Sequence, residues 1–284
     1  MDPFIHPAHK RKRRRERLKG AIGATLALIV VALVIVSVLG RSGLLDLPNG
    51  GGSAADTSGG PPPPSSPFEG TPAADFGEFG DLEFPKAKAT KSFGKDAVAD
   101  AIEDVRSMLK AGRVDWPSKP QKPSAFAKRF APSQRADLIE ILGGADRLAY
   151  VSELLEGRSL VGEPRVDGHI SVKEKVTANT VRVLEIRTNL VWAYPFDGPL
   201  HVPGDGLLIV NTQQVWQFAL ASQVRDEDLG LWPHDTGYWL SNIECGPAED
   251  GFLSAFRYDP AQSGDAGSGT AIDPDAAIDP DFDQ

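Results

Sequence analysis

The chain has 284 residues, 41% hydrophobic and 24% charged, with a formal net charge of −9. That length accommodates one sizeable domain, or two small ones, together with tails. A single cysteine excludes an intramolecular disulfide framework and any cluster of cysteine metal ligands.

Charge is strongly segregated. Residues 1–20 carry eight basic side chains, all between Lys10 and Lys19, against Asp2 and Glu16, so the head is cationic and the rest of the chain acidic. The segment Ala21–Leu39 follows without a charge, and the next charged residue is Arg41. At about 1.5 Å per residue such a helix reaches about 30 Å, the depth of a bilayer core. A helix is also the one single-segment structure that pairs its own backbone groups in hydrocarbon. The expectation is a transmembrane helix over 21–40, with residues 1–20 as a cytoplasmic head and the bulk of the chain exported, because flanking basic residues stay inside. The run exceeds the apolar region of a cleaved secretory peptide, which favours an uncleaved signal-anchor. The head meets anionic membrane lipids. It has no aromatics interleaved for base stacking, so nucleic acid is not an expected partner.

Residues 41–85 are rich in Gly, Pro and Ser, with Pro61–Pro64 in a row. They read as a disordered tether. Phe76, Phe79 and Phe84 stand isolated in it, either docking on a partner or leading into the domain.

Residues 86–258 read as one exported domain. Val98, Ala101, Ile102, Val105, Met108 and Leu109 recur at helical spacing, with Asp96 as cap and Gly112 as stop. A later helix is expected from Ser133, with Leu138, Ile139 and Leu142 inward and Gly143-Gly144 ending it. Another is expected from about Asp146 to Glu156. The period then changes to two. Ile170, Val172 and Val176 alternate imperfectly. Leu184, Ile186, Thr188, Leu190, Trp192 and Tyr194 alternate cleanly, with a bulge expected near Val183. Leu207 to Leu220 is a further strand, and short ones are expected at Tyr238–Ile243 and Phe252–Phe256. Helices followed by long strands give an α+β fold, N-terminal helices packed on a curved antiparallel sheet. Residues 259–284, with seven acidic residues and no basic ones, read as an acidic disordered tail.

Ala131-Pro132-Ser133-Gln134-Arg135, Thr188-Asn189-Leu190-Val191-Trp192-Ala193-Tyr194, Gly230-Leu231-Trp232 and the late Cys245 resemble a group of uncharacterised actinobacterial membrane-anchored proteins. The helix-then-sheet order is similar to the cone-like fold of nuclear-transport-factor-2-like domains. The resemblance implies location and fold. It implies no activity, because that fold serves enzymes and binding modules alike.

No phosphate-binding loop, dinucleotide fingerprint, zinc-protease helix or nucleophile elbow is present. His6 and His9 lie in the head, which leaves His169, His201 and His234 in the domain. An enzyme would be built around His234-Asp235, or on paired carboxylates if Glu174 and Glu185 face each other. The default for both is a turn and a wet sheet face. Cys245 reads as a buried small hydrophobe. The aromatics of the sheet half, Trp192, Tyr194, Trp216, Phe218, Trp232 and Trp239, are the candidate ligand-binding residues, as an apolar pocket or as core. The expected function is a non-enzymatic membrane-anchored accessory or binding protein with an envelope protein partner and no cofactor or metal.

Overall fold

A computed structural model of the protein describes residues 62–258. The expectations for the head, the apolar run, the tether before residue 62 and the acidic tail lie outside the described residues. Among the described residues no helix is long and apolar enough to cross a membrane.

The fold is α+β. Strands β1 (Gly77–Glu78), β2 (Arg165–Val176), β3 (Arg182–Pro195), β4 (Leu207–Ala219) and β5 (Trp232–Ser241) form one antiparallel sheet in chain order. The helices are α1 (Lys95–Leu109), α2 (Pro123–Phe126), α3 (Arg135–Leu142) and α4 (Cys245–Glu249).

Helix α1 buries the whole apolar stripe from Val98 to Leu109. Its N-cap is Gly94, and Asp96 sits in the first turn, where a negative charge faces the positive end of the helix dipole. Gly112 does not stop it. The chain widens instead into a π-helical turn, Lys110–Asp115. Gly112 is required there by close approach: a Cβ would run into the carbonyl oxygen of Tyr150. Helix α3 ends at Gly143 as its sequence predicts, but a 3₁₀ turn, Pro132–Gln134, precedes it in place of a Ser133 cap. Leu138 and Leu142 are buried, whereas Ile139 is 40% exposed.

The helix expected at 146–156 is absent. A 3₁₀ turn, Ala145–Ala149, gives way to extended chain. The backbone groups of this stretch have tertiary partners: the Ser152 N–H donates to Gly112 O, Leu155 N–H to Leu253 O, and Leu253 N–H to Glu153 O. These bonds override a modest helical preference.

The even-numbered positions of β3 (Leu184, Ile186, Leu190, Trp192, Tyr194) join Leu208, Val210 and Trp216 of β4 and the apolar stripe of α1 in one buried cluster. No bulge occurs at Val183, which stays in continuous register between Lys175 and Ala219 and is buried by the other sheet face. The register shift falls between Val215 and Trp216, opposite β5. Strand β5 begins at Trp232, well before the expected Tyr238, and the expected strand at 252–256 is reduced to bridges at Leu253 and Ala255.

Two further expectations are corrected. The folded body begins before residue 86. Strand β1 pairs with β2 (Gly77↔Val166, Glu78↔Arg165), and Phe79 stacks on Trp192 with ring centroids 5.9 Å apart. Ala73 and Phe76 form a second cluster with Val191, Ala193, Leu207 and Ile209, and the Arg165 guanidinium lies over the Phe68 ring. The segment has few apolar residues, but Ala73, Phe76 and Phe79 are buried and Phe68, Leu82 and Phe84 partly so. Cys245 is exposed. The strand ends at Ser241, so the alternation that would have buried Cys245 does not reach it.

Phe79→Ala should destabilise the domain by about 3–5 kcal/mol, the usual cost of emptying a buried aromatic site. Urea unfolding followed by tryptophan fluorescence would measure it. A change below about 1 kcal/mol would mean that residues 62–85 are not an integral part of the fold.

Candidate functional site

A buried polar network centres on Arg113. The π-helical turn carries Arg113 inward until its side chain is 1% exposed. Its guanidinium donates to Leu148 O (3.0 Å), Ala149 O (2.8 Å) and Ser152 Oγ (3.2 Å). Ser152 Oγ shares a 2.6 Å hydrogen bond with the Tyr194 hydroxyl, which donates to Arg113 O at 3.1 Å. Gln214 Nε2 also donates to Ala149 O, at 2.6 Å. Burial lowers the Arg113 pKa. Burial also pushes the Tyr194 hydroxyl up to about 12, against the opposing pull of Arg113 and Ser152. Among the described residues no carboxylate is bonded to this cation. The carbonyls that end the 3₁₀ turn take that role, as the negative end of a short helix. The network joins the helical half of the chain to β3 and β4, with Arg113 Nε and Gln214 Oε1 buried and unpartnered among the described residues. It is a structural tie.

The two carboxylates considered for catalysis do not meet. Glu174 aligns with Leu184, and Glu185 with Lys173. The two carboxylates therefore lie on opposite faces of the sheet, because neighbouring register positions alternate. Each is already engaged. Glu174 accepts from Ser92 Oγ (2.7 Å), Thr90 Oγ1 (2.7 Å), Ser92 N–H (2.8 Å) and Arg182 (3.4 Å), which clamps residues 90–92 to β2. Those bonds, Ser92 first, draw its pKa down to about 2. Glu185 is buried. Burial pushes its carboxyl up, but Lys175, Arg187 and Gln217 outweigh that and hold it below the usual value. His234 is exposed on β5, and Asp235 turns to its own neighbour, accepting from the Thr236 N–H. His169 and His201 are exposed elsewhere. Among the described residues no three His, Cys, Asp or Glu side chains converge as metal ligands.

The candidate ligand-binding aromatics divide. Trp192, Tyr194 and Trp216 are fully buried. Trp192 stacks on Phe79, and Trp216 packs beside Phe130 and Tyr150. Phe218 is partly buried against the same cluster. Trp232, at the start of β5, donates its Nε1–H to Asp228 O at 2.7 Å. Trp239 is separate: it is 51% exposed and its β5 position belongs to the opposite sheet face.

That face is polar. Register places Asp167, Val191, Asn211 and Trp239 in one cross-strand row. The next rows are His169, Asn189, Gln213 and Gly237, then Ser171, Arg187, Val215 and Asp235. The Trp239 ring lies near Gly237, whose Cβ position stands 3.5 Å from Cη2 and 3.8 Å from Cζ3, ordinary contact distances. Asn211 is 7% exposed, and its Oδ1 and that of Asn189 are buried with no hydrogen-bond partner among the described residues. Sequence reasoning had Trp239 but missed these amides. Their signal was there in the odd positions of β3 and β4, which carry Asn and Gln between large apolar residues.

Comparison with protein-family models, with curated proteins and with solved structures found no match.

The Glu174 clamp should be acid-sensitive. Its folded pKa of about 2 lies below the ordinary 4.5, so its contribution is full above about 4.5 and is lost as pH falls through about 2. Glu174→Gln should flatten the acid limb of stability over that window and leave the slope near neutrality unchanged. Thermal unfolding from pH 7 to pH 2 reads this. An identical acid limb in the variant would show that the clamp is not formed in solution.

Proposed function

We propose that the chain is a non-enzymatic, membrane-anchored accessory or binding protein. A basic head on the inner face and one membrane span over 21–40 present the domain outside the cytoplasmic membrane. The observation that carries this reading is the order of the chain: eight basic residues, nineteen uncharged apolar ones, then an acidic body. The span and the head contact membrane lipids, and the domain meets an envelope partner. The separation of Glu174 from Glu185, and of the three domain histidines from one another, favours binding over catalysis. The closed packing of Trp192, Tyr194 and Trp216 favours a core over an apolar-ligand pocket among those rings.

We read the domain as N-terminal helices laid on one face of a curved, cone-like sheet. Support comes from the shared cluster of Val98, Ile102, Val105 and Leu109 with Leu184, Ile186, Trp192 and Trp216.

The single exposed cysteine gives a direct test. In intact cells a membrane-impermeant maleimide should label Cys245, and the protein should sediment with membranes until residues 1–40 are deleted. Labelling that appears only after permeabilisation would overturn the topology.

A further inference from the structure

We propose that the lysine strip at residues 86–95 is the docking surface for the chain's own acidic segment, residues 259–284. From Phe84 to Lys95 the chain carries Lys86, Lys88, Lys91 and Lys95 and no acid. That local excess stands in a chain that is acidic once the basic head is set aside. All four lysines are exposed. None of them is in an ion pair among the described residues, whereas Lys110, Lys175 and Arg182 have Asp115, Glu185 and Glu174 as partners.

The backbone beneath the strip is fixed. Phe93 is buried in the main cluster, and Phe84 and Ala87 pack against it. Thr90 and Ser92 are bonded to Glu174 on β2. That carboxylate also has Arg182, so its charge is already matched. The residues between the lysines are thus turned to the body, and the lysines are left to solvent. A fixed row of like charges repels itself and attracts an anionic chain. The other acid-free basic stretch, Lys119 to Arg129, is different in space: Asp104 lines one cleft with Lys128 and Arg129.

Charge and length both select the occupant. Residues 259–284 hold seven aspartates and no basic residue, and five of the seven are Asp273, Asp275, Asp279, Asp281 and Asp283. The segment leaves the body at Tyr258, whose N–H donates to Asp205 beside the Pro195↔Leu207 row. The far end of the strip adjoins the Glu174↔Leu184 row. From Leu184 to Pro195 along β3 is about 36 Å, at about 3.3 Å per residue. An extended chain from Tyr258 reaches about 50 Å at Asp273 and about 75 Å at Asp281. The five aspartates therefore reach the strip from their own domain. One exposed ion pair contributes little. Several on one tethered chain act together, at an effective concentration on the order of millimolar.

The test uses the purified full-length chain in detergent, treated with a water-soluble carbodiimide, which joins an amine and a carboxylate in contact as an amide. Mass spectrometry of the digested protein should find Lys86, Lys88, Lys91 or Lys95 linked to Asp273–Asp283 of the same chain. Those links should exceed links to the exposed Lys119 and Lys122 by about fivefold or more. They should vanish in about 1 M salt, where the screening length falls to about 3 Å. Lys86→Glu, Lys88→Glu and Lys91→Glu together should abolish them, and the variant should unfold at the wild-type temperature because all three side chains are exposed. Adding Asp273→Lys, Asp275→Lys, Asp279→Lys and Asp281→Lys to that variant should restore the links, with amine and carboxylate exchanged. Links spread evenly over all exposed lysines, or links that survive the triple charge reversal, overturn the inference. Links found only between two isotopically distinct chains overturn it in favour of a contact between copies. Protection of the strip from acetic anhydride that requires phosphatidylglycerol in the micelle, and persists when 259–284 are deleted, overturns it in favour of a lipid surface.

Discussion

The pleat of β3 and β4 governs the rest of the molecule. Both are long central strands, thirteen residues or more, paired without interruption from Val183↔Ala219 to Pro195↔Leu207. Successive side chains must leave opposite faces of such a pair. Even positions therefore deliver Leu184, Ile186, Leu190, Trp192, Tyr194, Leu208, Val210 and Trp216 to one cluster, while odd positions deliver Glu185, Arg187, Asn189, Asn211 and Gln213 to the other face. A slip of one residue would exchange the two sets and bury three charged or amide groups of β3 among the aromatics. Each buried tryptophan removes roughly 200 Å² from water, worth about 5 kcal/mol at 25 cal/mol per Å². The register is thus held by several such terms at once, and every placement that follows inherits that precision.

The helical half meets this sheet at one costly point. Arg113 is a buried cation without a carboxylate, and desolvating it costs several kcal/mol unless its donors are satisfied. The chain pairs Nη1 and Nη2 and leaves Nε buried without a partner among the described residues. Leu148 and Ala149 turn their carbonyls toward the guanidinium, and Ser152 closes the loop through Tyr194 back to the carbonyl of Arg113 itself. Three otherwise odd features follow from that requirement. The π-helical turn rotates Arg113 inward, Gly112 lets the backbone touch Tyr150, and residues 150–155 leave the helical conformation so that Ser152 can bond to Gly112. A π turn inside an α-helix is uncommon and is kept where it places a particular side chain.

Legibility in the sequence followed the same divide. The apolar stripe of α1 and the alternation of β3 were readable because each is a local period matched to its element. The missing helix at 146–156 was not readable, since its backbone bonds go to Gly112 and Leu253, remote in sequence. Residues 62–85 were misread because composition averages over Phe68, Ala73, Phe76 and Phe79, whose burial depends on strands formed much later in the chain. For the site, residue type was readable and partnership was not. Glu174 and Glu185 looked like neighbours until the register set them on opposite faces. Trp239 looked like a companion of Trp192 and Trp216 until β5 was seen to start at Trp232, with a shift beside Trp216.

The two faces also divide the work of the domain. The even face is already filled by packed rings and the Arg113 network, so substitutions there change stability first. At the odd face, its Phe76 end is held by the second cluster and its Glu185 end by the Lys175, Arg187 and Gln217 contacts. Between those anchored ends lie the rows of Asn211 and Asn189, with Trp239 at their β5 margin. A polar centre with an open aromatic margin is a poor way to build a core and a good way to present a surface. Because the same strands carry both faces, the side chains of this surface stand on a backbone that the core register already sets. A surface built on strands therefore has less ordering entropy to lose on meeting a partner than one carried on loops.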